Sequence, residues 1–193
     1  MTNTPDSTPD STPDRAPASA CGRPGPGVEP TTADRAWLAV ACQLATECPP
    51  SRTEFSAGVV VLADDGTELA RGHSRQNEPH EHAAEGALAQ IAPGDPRLST
   101  ATVYSSAGPC AERGPGLRPC AELIREAGIR RVVTACREPH ADGTSGTSGT
   151  SGTSDPSDAD GAYGIRSLEA IGVTVIELSE YADAAKAPNQ HLL

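Results

Sequence analysis

One histidine and two cysteines carry the clearest chemistry in this sequence. His82 precedes a predicted helix, and Cys110 and Cys120 follow Pro109 and Pro119. An imidazole and two thiolates are common Zn²⁺ ligands, and three protein ligands leave the fourth tetrahedral position to water, as in catalytic zinc sites. Nine residues lie between the two cysteines, a wider spacing than in Cys-x-x-Cys motifs. On spacing alone, two buried or free thiols therefore remain an alternative to a metal site.

Alternating helix and strand patterns predict the elements that position these residues. The apolar run at 57–63 is typical of a central strand buried on both faces. Residues 64–67 predict a turn, and 68–72 predict its hairpin partner. The other predicted strands are 101–105, 129–135 and 173–178, and the predicted helices are 34–48, 81–91, 119–127, 165–171 and 180–186. This order predicts an α/β fold with a five-stranded sheet and helices on both faces.

Two segments with few large apolar side chains border and interrupt the predicted domain. Residues 1–31 repeat a Thr-Pro-Asp phrase and then run through Pro and Gly, which predicts a disordered tail. Gly-Thr-Ser occurs four times between residues 143 and 154, which predicts a flexible insertion at about 142–161. Patterned sequence resumes after the insertion. We therefore expect one domain over residues 32–187 and a short C-terminal tail at 188–193.

Composition argues against several classes of function. The chain has 26 acidic and 15 basic residues, a net charge of −11, and only 3% aromatic residues. An acidic surface repels phosphate backbones and few rings are available to stack on bases, so we expect no nucleic-acid partner. The longest apolar run, at 57–63, is too short to cross a bilayer. Without a charged-then-apolar start, the sequence predicts a cytoplasmic protein with no membrane partner.

Three phrases of the sequence resemble the zinc motifs of the cytidine deaminase superfamily. They are His82-Ala83, Gly108-Pro109-Cys110-Ala111-Glu112-Arg113 and Arg118-Pro119-Cys120-Ala121-Glu122-Leu123-Ile124. The widened second motif is most similar to the pyrimidine deaminase of riboflavin biosynthesis and to bacterial deoxycytidylate-deaminase-like proteins. The resemblance runs in order over nearly all of residues 33–185. It implies a three-layer α/β/α fold, one zinc ion per chain held by His82, Cys110 and Cys120, and a homodimer or homotetramer.

The resemblance also implies an activity. Members of this superfamily are zinc-dependent hydrolases, and we expect the substrate to be a small aminopyrimidine-type base, nucleoside or nucleotide. Zinc-activated water attacks the amino-bearing carbon of such a substrate, and ammonia is released. Two alternatives from other classes stay open. One is a non-catalytic zinc-stabilised binding or scaffold protein, and the other is a deaminase of tRNA or another polynucleotide, which the acidic charge disfavours.

Position 84 departs from the family motif. The family has His-Ala-Glu where this sequence reads His82-Ala83-Ala84. Ala84 therefore stands where the family's carboxylate transfers protons, and we expect the chain as it stands to be inactive. Glu85 is adjacent, but successive helical residues point about 100° apart and it should not reach the same spot. Three interpretations stay open: an engineered substitution, a natural loss of activity, or a rewound helix start that lets Glu85 serve.

Four further residues are candidates for substrate contacts. His73 ends the predicted second strand, in the place of a substrate-contacting histidine of the riboflavin-pathway enzymes. Arg113 and Arg118 lie between the cysteines, where planar guanidinium groups could bind a phosphate. Ordinary surface arginines are the alternative for both. Ser56, just before the first strand, could contact the base or the sugar.

Overall fold

The computed structural model describes residues 29–136 and 163–192 of the chain. Within them, five strands form one mixed sheet with helices packed on both faces, as the sequence predicts. The strands are β1 (Gly58–Leu62), β2 (Glu68–His73), β3 (Thr102–Ser105), β4 (Arg131–Thr134) and β5 (Thr174–Glu177). The helices are α1 (Thr32–Ala45), α2 (Ala83–Leu88), α3 (Cys120–Glu126), α4 (Tyr163–Ala170) and α5 (Ala182–Lys186). The predicted insertion at 142–161, and the predicted tail up to residue 28, lie outside the described residues.

The order of strands in the sheet is β2-β1-β3-β4-β5. β1 pairs antiparallel with both β2 and β3, whereas β3, β4 and β5 run parallel. In the pairing register, Gly58 lies opposite His73, and Val59 lies opposite Ser105, which in turn lies opposite Thr134. The start of β1 and the ends of β2, β3 and β4 therefore meet at one edge of the sheet. The loops at this edge carry the candidate site residues.

The hairpin between β1 and β2 forms as predicted. The Asp65 carboxylate accepts a hydrogen bond from the backbone N–H of Thr67 at 2.8 Å. Gly66 has a φ of 87°, a left-handed conformation that favours glycine. All five residues of β1 are buried, as expected for a strand covered on both faces.

Two apolar clusters lie on opposite faces of the sheet. Val60 of β1 packs with Leu38 of α1 in one cluster, which also includes residues of α5. Val61, the next residue of β1, packs in the other cluster with Ile124 of α3 and Leu168 of α4. Because successive strand residues face opposite ways, one strand contributes to both clusters. Among the described helices, none is long and apolar enough to cross a membrane.

A buried polar network joins α1 to the sheet. The Asp34 carboxylate accepts hydrogen bonds from both Nη atoms of Arg131, at 2.8 and 2.9 Å, and from the Tyr104 hydroxyl at 2.9 Å. Burial favours a raised pKa of Asp34, but the hydrogen bonds from Arg131 and Thr31 outweigh it and hold the pKa well below its usual range. The ionised carboxylate therefore fixes the start of α1 over β3 and β4.

The ends of the helices differ from the predicted ends by a few residues. α1 begins at Thr32, two residues early, because Thr31 caps it by accepting a hydrogen bond from the Asp34 N–H at 3.1 Å. It ends at Ala45 instead of residue 48, and Cys48 lies in the following loop, where its thiol donates to the Ala57 carbonyl at 3.4 Å. α2 is also shorter than the predicted 81–91.

Residues 188–192, expected as a tail, pack against the domain. Asn189 is fully buried, and its Oδ1 accepts a hydrogen bond from the Ser56 N–H at 2.6 Å. Its Nδ2 donates to the carbonyl oxygens of Ser56, at 2.9 Å, and of Ala185, at 3.2 Å. The Asn189 side chain thus pairs with both backbone polar groups of the residue that leads into β1, and this segment contributes buried contacts to the fold.

Candidate metal centre

The structure brings His82, Cys110 and Cys120 together at the site edge of the sheet. His82 Nδ1 lies 3.3 Å from Cys120 Sγ and 3.4 Å from Cys110 Sγ. The three donor atoms all lie within 4.8 Å of one another, and both thiols are buried. One nitrogen and two sulfur donors at this separation fit the ligand preference and size of Zn²⁺. The group can therefore bind one metal ion.

Local structure at two helix starts fixes the three donor residues. His82 is the N-cap of α2, and Cys120 is the first residue of α3. Cys110 lies in the loop after β3, where the Cys120 N–H donates to its Sγ at 3.3 Å. The Ala121 N–H donates to the Cys110 carbonyl at 3.1 Å. The backbone at the start of α3 thus holds the other cysteine in place.

The two thiols have opposite pKa shifts. The hydrogen bond with Cys120, helped by His82 and opposed by burial, lowers the pKa of Cys110 to about 4. The same bond, together with burial, raises the pKa of Cys120 well above its usual range. The hydrogen bond between the two thiols therefore favours a thiolate in the pair. The thiolate is the form of cysteine that binds a metal ion.

A glycine of α4 supports the backbone at Cys110. A Cβ atom placed on Gly164 would lie 1.8 Å from the Pro109 carbonyl oxygen and 3.0 Å from the Cys110 carbonyl carbon. The helix can approach this loop so closely only because residue 164 has no side chain. α4 therefore packs directly on the chain segment that carries one donor. Nothing in the sequence motifs indicates this contact.

Ala84 is the second residue of α2 and is only 6% exposed. Its methyl group belongs to the buried apolar cluster that also contains Cys110 and Cys120. A methyl group can neither accept nor donate a proton. Position 84 therefore lies in the same buried cluster as the two cysteines and carries no group that could transfer protons.

Glu85, the neighbouring carboxylate, has other partners. Its Oε2 accepts hydrogen bonds from Arg113 Nη1 at 2.7 Å and from the His82 N–H at 3.4 Å. Burial favours a raised pKa of Glu85, but the hydrogen bond and charge of Arg113 outweigh it and lower the pKa below its usual value. α2 is helical from Ala83, so its start is not rewound. This arrangement disfavours Glu85 as a proton carrier.

The two arginines between the cysteines have different surroundings. Arg113 has only 4% of its side chain exposed, and besides Glu85 it donates to the carbonyl oxygens of Arg118, at 3.2 Å, and of His80. The side chain of Arg118 is 47% exposed and pairs with Glu126 and, at 3.6 Å, with Glu122. Arg113 is thus engaged by protein oxygen atoms, whereas Arg118 lies at the surface.

His73 and Ser56 lie at the same edge of the sheet but are held by other groups. His73 ends β2, and its Nδ1 is 3.1 Å from the Ser74 carbonyl oxygen. The Ser56 hydroxyl is buried and accepts a hydrogen bond from Arg75 Nη2 at 2.8 Å. Within the described part of the chain, neither side chain forms a hydrogen bond with the three donor residues.

Arg75 is a buried positioning residue that sequence reasoning missed. Its φ is 62°, which is uncommon outside glycine, and its guanidinium donates to three backbone carbonyls and one hydroxyl. The acceptors are Pro49 at 2.8 and 3.1 Å, Glu54 at 3.2 Å, Phe55 at 3.0 Å and the Ser56 hydroxyl at 2.8 Å. Arg75 therefore holds the loop that leads into β1. Because most of its acceptors are backbone carbonyl oxygens, which every residue has, no sequence motif indicates this role of Arg75.

Residues 31–136 match the model of the cytidine and deoxycytidylate deaminase zinc-binding region. This match covers both cysteines and the histidine of the metal centre. Among curated proteins, a diaminohydroxyphosphoribosylamino-pyrimidine deaminase of Schizosaccharomyces pombe is 30% identical over 97 residues. Those residues are 49% of this chain and 24% of that protein, so the chain spans about a quarter of its relative's length.

Solved structures with the same fold include two larger proteins. Acinetobacter baumannii RibD is 27% identical, with a TM-score of 0.61 over 81% of this chain and 38% of that one. A diaminohydroxyphosphoribosylaminopyrimidine deaminase/5-amino-6-(5-phosphoribosylamino)uracil reductase of Thermotoga maritima is 24% identical, with a TM-score of 0.56 over 80% and 38% of the two chains. At 24% identity, the similarity to the Thermotoga maritima protein shows a shared fold alone. The cytidine-deaminase-like architecture expected from the sequence is thereby confirmed.

Proposed function

Because the chain belongs to the cytidine and deoxycytidylate deaminase family, we propose that it binds one zinc ion and a small aminopyrimidine-type base, nucleoside or nucleotide. The convergence of His82 Nδ1, Cys110 Sγ and Cys120 Sγ within 4.8 Å carries this proposal. A zinc ion held there would lower the pKa of a water molecule and so supply the nucleophile of a hydrolytic deamination. The pyrimidine class is supported by the likeness to deaminases whose names specify a phosphoribosylamino-pyrimidine.

We propose further that the chain as it stands binds its substrate and turns it over negligibly. Hydrolytic deamination needs a proton at the ring nitrogen and another at the leaving amine, and Ala84 supplies no group for either transfer. Glu85 is paired with Arg113 at 2.7 Å. General acid–base assistance is worth about 10²–10⁴-fold. We expect the loss to lie at or beyond the upper end, because one carboxylate would serve several transfers.

The substrate contacts are proposed from the position of three residues at the site edge. His73 ends β2 beside the start of β1, and Ser56 lies just before β1. The exposed guanidinium of Arg118 could exchange Glu126 for a substrate phosphate. Arg113, with its protein partners, is no longer a favoured phosphate contact. The predicted homodimer or homotetramer and the predicted cytoplasmic location rest on the family resemblance and on the sequence alone.

A second candidate function is a non-catalytic zinc-stabilised binding protein. The observation that favours it is the buried methyl group of Ala84 at the position of the family's carboxylate. The two candidate functions share the metal centre. They differ in whether a carboxylate at position 84 would make the site catalytic.

Restoring the carboxylate tests the proposal. The full chain, Ala84→Glu and the matched Ala84→Gln, which has similar size but cannot carry protons, are assayed for zinc by elemental analysis. Ammonia release is then measured with a panel of aminopyrimidine bases, nucleosides and nucleotides. We expect one zinc per chain in all three proteins. Ammonia release should be at least about 100-fold faster with Ala84→Glu than with the other two.

Each contrary result contradicts a different part of the proposal. Stoichiometric zinc in a protein with both Cys110→Ala and Cys120→Ala would exclude the ligand set. Ala84→Glu with full zinc and no ammonia from any compound would favour the binding protein. Rapid turnover by the unmodified chain, lost in Glu85→Gln at full zinc occupancy, would make Glu85 the proton carrier.

A further inference from the structure

We infer that Arg113 is the positioning residue of the metal centre, because its guanidinium ties together the three chain segments that carry the donor atoms. The inference rests on the proposed function in one respect: it takes His82, Cys110 and Cys120 as the zinc ligands. It concerns a residue whose type and place in the sequence suggested a phosphate contact instead.

The acceptors of Arg113 lie on two of the three segments, and Arg113 itself lies on the third. Glu85 Oε2, at 2.7 Å from Nη1, belongs to the first turn of α2, which His82 caps. The His80 carbonyl accepts from Nη2 and lies two residues before His82. The Arg118 carbonyl, at 3.2 Å from Nη1, lies two residues before the second cysteine. Arg113 itself follows the first cysteine by three residues.

The other side-chain attachments of the loop between the cysteines lie at the surface, where Arg118 pairs with Glu122 and Glu126 of α3. Residues 114–118 are exposed, and within this stretch the Leu117 N–H donates to the Gly114 carbonyl at 3.1 Å in a turn. Arg113 is the member of the loop whose side chain is buried, with 4% exposed. Because its guanidinium binds Glu85 and the His80 carbonyl, the loop is held against the start of α2 by an ion pair and by a side-chain hydrogen bond to the backbone just before that helix.

Only a guanidinium suits this arrangement. Its planar group presents several N–H donors in fixed directions, so one side chain can reach a carboxylate and two carbonyl oxygens at once. A lysine ammonium carries the same charge on a single nitrogen and cannot reproduce the fork. We therefore expect that a positive charge alone cannot hold the three segments together, and that Arg113 and Glu85 act as one unit.

The test compares zinc affinity with fold stability. The full-length variants are Arg113→Gln, Arg113→Lys, Glu85→Gln and the double variant Arg113→Gln/Glu85→Gln. The control is Arg125→Gln, which removes the same charge from the exposed side of α3. Zinc Kd is measured by competition with a chromophoric chelator, melting temperature with and without zinc, and the visible spectrum after Co²⁺ substitution.

Partners that orient metal ligands typically contribute about 10–100-fold to metal affinity. We expect the zinc Kd of Arg113→Gln and of Glu85→Gln to rise at least ~10-fold, with Arg113→Lys close to Arg113→Gln. The double variant should be no more than about twofold weaker than the weaker single variant, because both changes remove one interaction. The Co²⁺ spectrum should change in these variants and not in Arg125→Gln.

Equal zinc Kd and equal Co²⁺ spectra for Arg113→Gln and Arg125→Gln would overturn the inference, even if Arg113→Gln melted earlier. If Arg113→Gln does not fold, Arg113→Lys is judged by the same two measurements. Failure of the unmodified chain to bind zinc would instead refute the proposed function, and this inference with it. Zinc binding by the unmodified chain with unaffected variants would refute the inference alone.

Discussion

Replacing Gly164 by alanine tests whether the packing of α4 supports the metal centre. The new Cβ would lie 1.8 Å from the Pro109 carbonyl oxygen, whereas real Cβ contacts essentially never fall under 3.0 Å. The atom in the way is backbone, so no side chain can turn aside. α4 and the loop at Cys110 must therefore separate by about 1 Å or more, and the loop carries a candidate zinc ligand.

Overpacking of this kind costs about 1–3 kcal/mol. The better helix propensity of alanine offsets at most about 1 kcal/mol of that. A net loss of about 1–2 kcal/mol corresponds to a fall in melting temperature of roughly 2–8 °C for a chain of this size. Because the displaced loop carries Cys110, we also expect the zinc Kd to rise by about tenfold, within the range found when the surroundings of metal ligands are disturbed.

Gly114→Ala is the matched control for this substitution. A Cβ at Gly114 would have nothing within 4 Å, and its backbone is not in the left-handed region. Both variants are compared with the unmodified chain by thermal unfolding, with and without zinc, and by chelator competition. A Gly164→Ala protein with the melting temperature and zinc Kd of Gly114→Ala would refute the reasoning about α4.

Two further substitutions test the buried polar contacts. Asp34→Asn should lower the unfolding free energy by about 3–5 kcal/mol at pH 7, because it leaves the largely buried Arg131, with 12% of its side chain exposed, without its counter-charge. The pKa of Asp34 is lowered in the folded protein, so this stabilisation is present above the unfolded pKa of about 4 and is lost as the pH falls towards the folded pKa. In urea unfolding from pH 7 to pH 3, the difference in unfolding free energy between the unmodified chain and Asp34→Asn should therefore narrow. The exposed control Asp183→Asn should unfold like the unmodified chain at pH 7. Asn189→Ala should cost about 2–3 kcal/mol by leaving the N–H and C=O of Ser56 without partners. The exposed neighbour Gln190→Ala should stay within about 0.5 kcal/mol of the unmodified chain in the same urea assay.

The sequence predicts the order of elements and the grouping of the metal donors well. The run of apolar residues in β1 has one interpretation, a doubly covered strand, and the Asp65-Gly66 pair has a standard turn conformation. The motifs around His82 and the two cysteines identify three side chains that must lie close together if they bind one metal ion. Helix ends are less certain, because the pattern that predicts α1 continues to Cys48 while the backbone leaves the helix at Ala45.

Contacts made by long side chains to backbone atoms could not be predicted. Arg113 and Arg75 both bind carbonyl oxygens, which every residue has, so no residue type marks their partners. Gly164 approaches Pro109 across 55 positions of sequence that include the predicted insertion, and only the packed structure reveals the contact. The sequence thus predicts the chemical groups of the site, and the structure adds the residues that hold them.

The hydrogen bonds between Asn189 and Ser56 span 133 positions of the chain. At a synthesis rate of about 5–20 residues per second, the asparagine is added to the nascent chain roughly 7–27 s after its serine partner. During that interval, the polar backbone of Ser56 can be satisfied only by water or by other partners. The loop leading into β1 is therefore completed only after residue 189 has been synthesised, and a ribosome that stalls before that point would carry a domain with this edge of the sheet unfinished.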